Sequence, residues 1–197
     1  MINYKIIVPA LCLGFLVGCR PATPVPKPKG YFKIDLPEHK YQAFDSTSFP
    51  FRFEYPVYGI ITQDAALAAK ENAPYWINID FKEMDASIYL SYKPITVQEP
   101  LDKLIEESYH LSHAHDIRAD YIKKTPEFRT RNGLIAVFYA VGGNAASAAQ
   151  FYVTDGEKHF TRGALYFNVT PNADSLKPST AFLKKDMEHL VETMQFK

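Results

Sequence analysis

Both cysteines of this 197-residue chain, Cys12 and Cys19, lie near its start, so any folded body behind them must hold together without a thiol. The segment in front of Cys19 accounts for their place. Lys5 gives a short positive start, and residues 6–17 form an apolar run. A run of that length is too short to span a bilayer and fits the hydrophobic region of a secretory signal. It ends in Leu16-Val17-Gly18-Cys19, the residue order of a bacterial lipobox. Small residues let a membrane peptidase reach the bond before the cysteine, and the thiol accepts a lipid. The expected processing removes residues 1–18 as a lipoprotein signal peptide, discards Cys12 and leaves Cys19 acylated. Disulfides, thiolate catalysis and cysteine-held metals are then excluded from the body. Several acyl chains anchor a protein durably where one alone does not.

Behind Cys19 the composition changes. Four of the eleven residues from Arg20 to Gly30 are proline. Such a run favours extended backbone and joins no core, so residues 19–30 read as the lipidated cysteine plus a tether of about 25–30 Å, at about 3 Å per residue. Lys27 and Lys29 are solvated linker charge. In the whole chain 22 Lys and Arg balance 22 Asp and Glu. A binder held by bulk attraction to phosphates needs a cationic surplus, so no nucleic-acid partner is expected. Fourteen percent aromatic residues supply the area for a real core.

Residues 31–197 read as one α+β domain, periplasmic in address. Strands are expected at 31–36 and at 49–55, where Phe49, Phe51, Phe53 and Tyr55 share one face. The runs 76–81 and 87–92 alternate and stand five residues apart, a hairpin pattern. The continuously apolar 134–141 reads as a central strand. Residues 150–153 and 159–167 flank a gap holding Asp155-Gly156, a strong turn signal. Short connections imply antiparallel pairing. Helical periodicity appears over about 96–113, with Thr96 and Glu99 spaced as a capping box. It recurs near the end, where Leu183, Met187, Leu190, Val191 and Met194 form a stripe and Asp174 and Ser175 are candidate caps. The Ala-rich 63–72 is a third short helix. The expected architecture is an antiparallel sheet packed with two or three helices, a two-layer sandwich.

Chemistry-bearing residues are few. His110, His113 and His115, followed by Asp116, have the types of a metal site, but spacing fixes no third ligand. Imidazoles near a helix C-terminus suit its dipole equally well. Ser147, Asp155 and His159 are the types of a hydrolytic triad, without a GxSxG elbow around Ser147. Arg162 stands beside Gly163 in an aromatic strand. Such an arginine pairs with a carboxylate, such as Asp155, or contacts a ligand or partner.

The blocks GYFKIDLPEHKY, FEYPVY, WINIDF, IYLSYK, GGNAASAAQFYVTD, HFTRGALYF, PNADS and DMEHLVETMQF occur in this order behind the lipobox. Together they resemble the gliding motility lipoprotein GldD family of the Bacteroidetes. The resemblance implies a non-catalytic accessory lipoprotein of the cell envelope, needed for gliding and linked to the type IX secretion machinery. It implies work beside the inner-membrane protein GldE and sister gliding lipoproteins, with membrane lipid engaged through Cys19. It carries no catalytic residue, metal or cofactor. The matching blocks include Asn144, Ser147, Gln150, Asp155, His159 and Arg162, the expected contact residues for a partner or ligand. His115, Arg118, Ala119 and Asp120 fit a His-x-x-Lys/Arg-Ala-Asp element, to which His113 does not belong. The element order is also similar to PsbP/Mog1-like domains. Arg20 after the lipidated cysteine, with no acidic cluster following, points by analogy to a periplasm-facing domain on either membrane. The competing expectation is an envelope hydrolase, or a ligand- or cell-wall-binding module, using the Ser147, Asp155, His159 and Arg162 region.

Overall fold

Strand formation follows the alternation of apolar residues closely. In the computed structural model, which describes residues 35–114 and 118–197, the first strand is β1 (Tyr41–Phe44). The signal segment, Cys19 and the tether lie outside the described residues. So does most of the strand expected at 31–36, and its last two residues, Asp35 and Leu36, are not extended into a ladder. Next come β2 (Phe51–Pro56), β3 (Ile60–Thr62), α1 (Ala65–Lys70) and β4 (Ile77–Phe81). In β4, Ile77, Ile79 and Phe81 are buried while Asn78 and Asp80 are only partly so. A 3-10 turn at Lys82–Met84 and left-handed Asp85 (φ 46°) lead into β5 (Ala86–Pro94), which pairs antiparallel with β4.

The second half adds α2 (Leu101–His113), β6 (Ala119–Lys124), β7 (Phe128–Arg129), β8 (Ile135–Gly143), β9 (Ser147–Thr154), β10 (His159–Phe167), α3 (Ala173–Thr193) and β11 (Gln195–Phe196). The expected β9–β10 hairpin forms. Gly156 takes φ 84° in its turn, a conformation that costs a side chain dearly. Helix α2 starts a turn later than the capping-box spacing placed it. Thr96 Oγ does accept from Glu99 N at 3.0 Å, but Pro100 is extended (ψ 159°) and helical geometry begins behind it. The cap of α3 is Asn172, whose side chain accepts from Ser175 N at 3.3 Å, in place of Asp174 or Ser175.

Every strand pair among the described residues is antiparallel, giving the α+β class, with three α-helices among those residues. A large sheet runs β3-β4-β5-β10-β9-β8-β6, with β7 also on β8, and a small one runs β1-β2-β11. The apolar 134–141 run is interior, next to β9, while β9 and β10 hold the middle. One face of the large sheet buries the main core. There Ile79, Ile88, Phe151 and Leu165 meet Phe51 and Phe53 of the small sheet and Leu183, Met187 and Leu190 of α3. Each such side chain contributes about 1.5–3 kcal/mol on leaving water. The opposite face is partly covered by α2, whose Leu104 packs on Val137, Tyr139, Tyr152 and Phe160. The sandwich of sheet and α3 thus gains a partial third layer.

Candidate functional site

Successive residues of β10 point to opposite faces, and this sets the site. Gly163 faces the main core beneath the Phe151 ring, so close that a Cβ there would collide with it. Its neighbour Arg162 therefore faces α2. The register places Ala164 opposite Gln150 and Arg162 opposite Tyr152 on β9, and Arg162 opposite Ser91 on β5. Arg162 Nη2 donates to Gln150 Oε1, which also accepts from Ser112 Oγ on α2 at 3.0 Å. Ser108 and Ser112 are both buried, and these small side chains let α2 settle over Gln150.

Arg162 lines a cleft of about 620 Å³ between α1, α2 and the β4-β5-β10 part of the sheet. Leu67, Trp76, Tyr89, Leu104, Leu111 and Phe160 supply its apolar walls. Burial pushes the Arg162 guanidinium below its ordinary value, against the pull of Tyr166, Glu107 and Tyr139. Arginine starts so high that the group stays charged at neutral pH. The other lining cation, Lys93, is already paired, at 2.8 Å with Glu107 and 3.5 Å with Glu99. Burial lowers its pKa, and these carboxylates raise it by more. Three polar atoms on the lining are buried without a hydrogen-bond partner: Arg162 Nε, Trp76 Nε1 and Ser108 Oγ.

The other expected contact residues lie elsewhere. Asn144 Oδ1 accepts from Ala173 N at 2.9 Å, tying the β8–β9 turn to the start of α3. Ser147 is fully buried, its Oγ directed to Ala149 O at 3.5 Å. Asp155 accepts three backbone N–H bonds of its own turn, from Glu157, Lys158 and His159 at 2.9–3.0 Å. It is not the partner of Arg162. The His159 ring meets Tyr92 Oη at 2.7 Å and stacks on Phe196 at 4.9 Å. Ser147 pairs with Tyr166 and Thr154 with Phe160, so Ser147 and His159 sit at opposite ends of the hairpin. About seven residues of strand at ~3.4 Å each separate them, far beyond triad contact. Of the six residues, only Gln150 and Arg162 are brought together by side chains, along with Asp155 and His159 through the turn backbone.

The metal reading finds no assembled site among the described residues. His113 Nδ1 bonds Tyr109 O at 2.9 Å and its ring stacks on Tyr109 at 3.9 Å. His110 lies 3.6 Å from Glu106 on the same helix face. His115 and Asp116 are outside the described residues.

A second polar centre carries no local signal in the sequence. Asp186 of α3 is fully buried. Its carboxylate accepts from Tyr58 Oη at 2.6 Å and Tyr41 Oη at 3.0 Å and lies 2.7 Å from His39 Nδ1. Burial and the Asp186 charge push the Tyr41 hydroxyl up to about 12 and Tyr58 higher still, so both remain donors. The cluster fastens the segment entering the domain to the last helix.

Fold and site define an antiparallel α+β domain with one sheet face sealed and, on the other, a cleft that holds Arg162. Among the described residues no helix is long and apolar enough to cross a membrane. The chain belongs to the gliding motility lipoprotein GldD family, whose model matches residues 21–196. As a lipoprotein of that family it has its place on a membrane of the cell envelope. No curated protein matches the chain. Among solved structures, that of cyanobacterial PsbP (CyanoP) from Synechocystis sp. PCC 6803 is similar at 14% identity. The match covers 84% of this chain and 98% of that one, with a TM-score of 0.48.

Proposed function

We propose that the chain is a lipid-anchored, non-catalytic accessory factor that assembles or stabilises the gliding apparatus and the type IX secretion machinery linked to it. The observation that carries this reading is the family match, which begins at residue 21, directly behind the Leu16-Val17-Gly18-Cys19 box. In this reading residues 1–18 are removed, acylated Cys19 holds the membrane, and residues 19–30 hold the domain off the headgroups on the periplasmic side. A domain tethered in this way meets other membrane-bound proteins at high effective concentration, so modest contact patches suffice. The partners proposed are GldE and sister gliding lipoproteins.

The test is deletion in the native host, complemented with the wild-type gene or with Cys19→Ala. Deletion is expected to stop surface spreading and adhesin export, with rescue by the wild type alone. Normal spreading and export in the deletion strain would overturn the proposal.

A further inference from the structure

The apolar walls of the cleft and a cation held only by neutral side chains are a combination that a structural arginine does not need. A buried charge is costly unless paired, and among the described residues no carboxylate forms an ion pair with Arg162. Its hydrogen-bonded partner on β9 is the neutral Gln150. The unpartnered buried atoms of the lining point the same way. Arg162 Nε and Trp76 Nε1 are donors only, and Ser108 Oγ can donate as well. What these three atoms lack is an acceptor. Its volume falls in the range of small-molecule sites, about 300–1,000 Å³. Leu67, Tyr89 and Leu111 stand 42–44% exposed around it, large apolar side chains left in water.

We propose that this cleft binds a small organic monocarboxylate with an apolar or aromatic body, its carboxylate on Arg162 and its body against Trp76, Leu104 and Phe160. One guanidinium balances one negative charge and matches the two oxygens of a carboxylate in geometry. A phosphate dianion brings a second charge, and the only other lining cation is held by Glu107 and Glu99. The assignment goes beyond the accessory role and stands or falls on the cleft alone.

Trp76 is the only tryptophan of the chain, so indole fluorescence of the intact lipoprotein reports this cleft. The chain in nanodiscs of neutral lipid is titrated with 4-phenylbutyrate, 4-phenylbutan-1-ol and 4-phenylbutyl phosphate. The carboxylate is expected to give a saturable change and to bind at least about tenfold tighter than the alcohol or the phosphate. Arg162→Gln removes that preference. Leu111→Glu, on the exposed rim, weakens the carboxylate at least about tenfold with an unchanged unfolding midpoint, and decides the matter if the Arg162 variant does not fold. No saturable change up to about 10 mM carboxylate, equal binding of the alcohol, or tighter binding of the phosphate each overturns the proposal.

Discussion

Asp186 shows how one residue can govern a region. Its carboxylate is the common acceptor for Tyr41, Tyr58 and, when its Nδ1 carries a proton, His39, none of which has water to fall back on fully. Truncating one member of such a buried network leaves the others unpaired, and the cost is that desolvation rather than the bond itself. Asp186→Ala is therefore expected to lower unfolding free energy by about 2–4 kcal/mol in urea titrations, with Tyr58→Phe losing less. Asp155 carries the pH dependence of the β9–β10 turn. Burial raises its carboxyl, but the backbone N–H groups of His159, Glu157 and Lys158 and the His159 charge outweigh that, leaving it below the ordinary 3.8. A depressed carboxyl stabilises the fold fully above its unfolded value, and that contribution is lost as pH falls through the folded one. The Glu157 and Lys158 amide resonances should titrate with a midpoint below 3.8. A midpoint at or above it would contradict the three-bond turn. Neither centre carried a full signal in the sequence. Asp155-Gly156 named the turn, because a turn is local. The Asp186 set spans separations of 128–147 residues, which no spacing rule reaches.

At the scale of elements, periodicity was readable wherever one face is buried and one is not. The alternation of β4 and the stripe of α3 follow this rule, and Leu183, Met187, Leu190, Val191 and Met194 are all fully buried. The short strands β1, β3, β6, β7 and β11 escaped notice because a strand of two to six residues at a sheet edge has no repeat to read. Pairing of β11 with β2 joins residues from the two ends of the domain. A glycine inside a strand marks a bulge or a close backbone approach, and at Gly163 the cause is the Phe151 ring, which lies twelve residues away on β9. Gly163→Ala tests that cause. The added methyl overpacks the ring against the core, and a destabilisation of about 1–3 kcal/mol is expected, read by thermal or urea unfolding. An unchanged midpoint would mean that the ring has room to move.

For the whole molecule, the division of labour between the two faces of the large sheet is the main structural fact. The face toward α3 and the small sheet is closed with aromatic and aliphatic side chains. The face toward α2 is covered only in part and keeps its polar row, Gln150 and Arg162. The cleft draws its lining from five elements, so the sequence displayed Arg162 as an isolated oddity and gave no hint of Trp76, Leu104 or Leu111 beside it. The anchoring segment is the opposite case. Everything that assigns it sits in nineteen consecutive residues, and the function proposed for the domain depends on it.

Intact-mass measurement on protein purified from native membranes tests the central claim most directly. The account predicts a chain that begins at Cys19 and carries the added mass of several acyl chains. An unmodified Cys19 with residues 1–18 still attached would contradict it, removing the lipid anchor and the accessory role that relies on it.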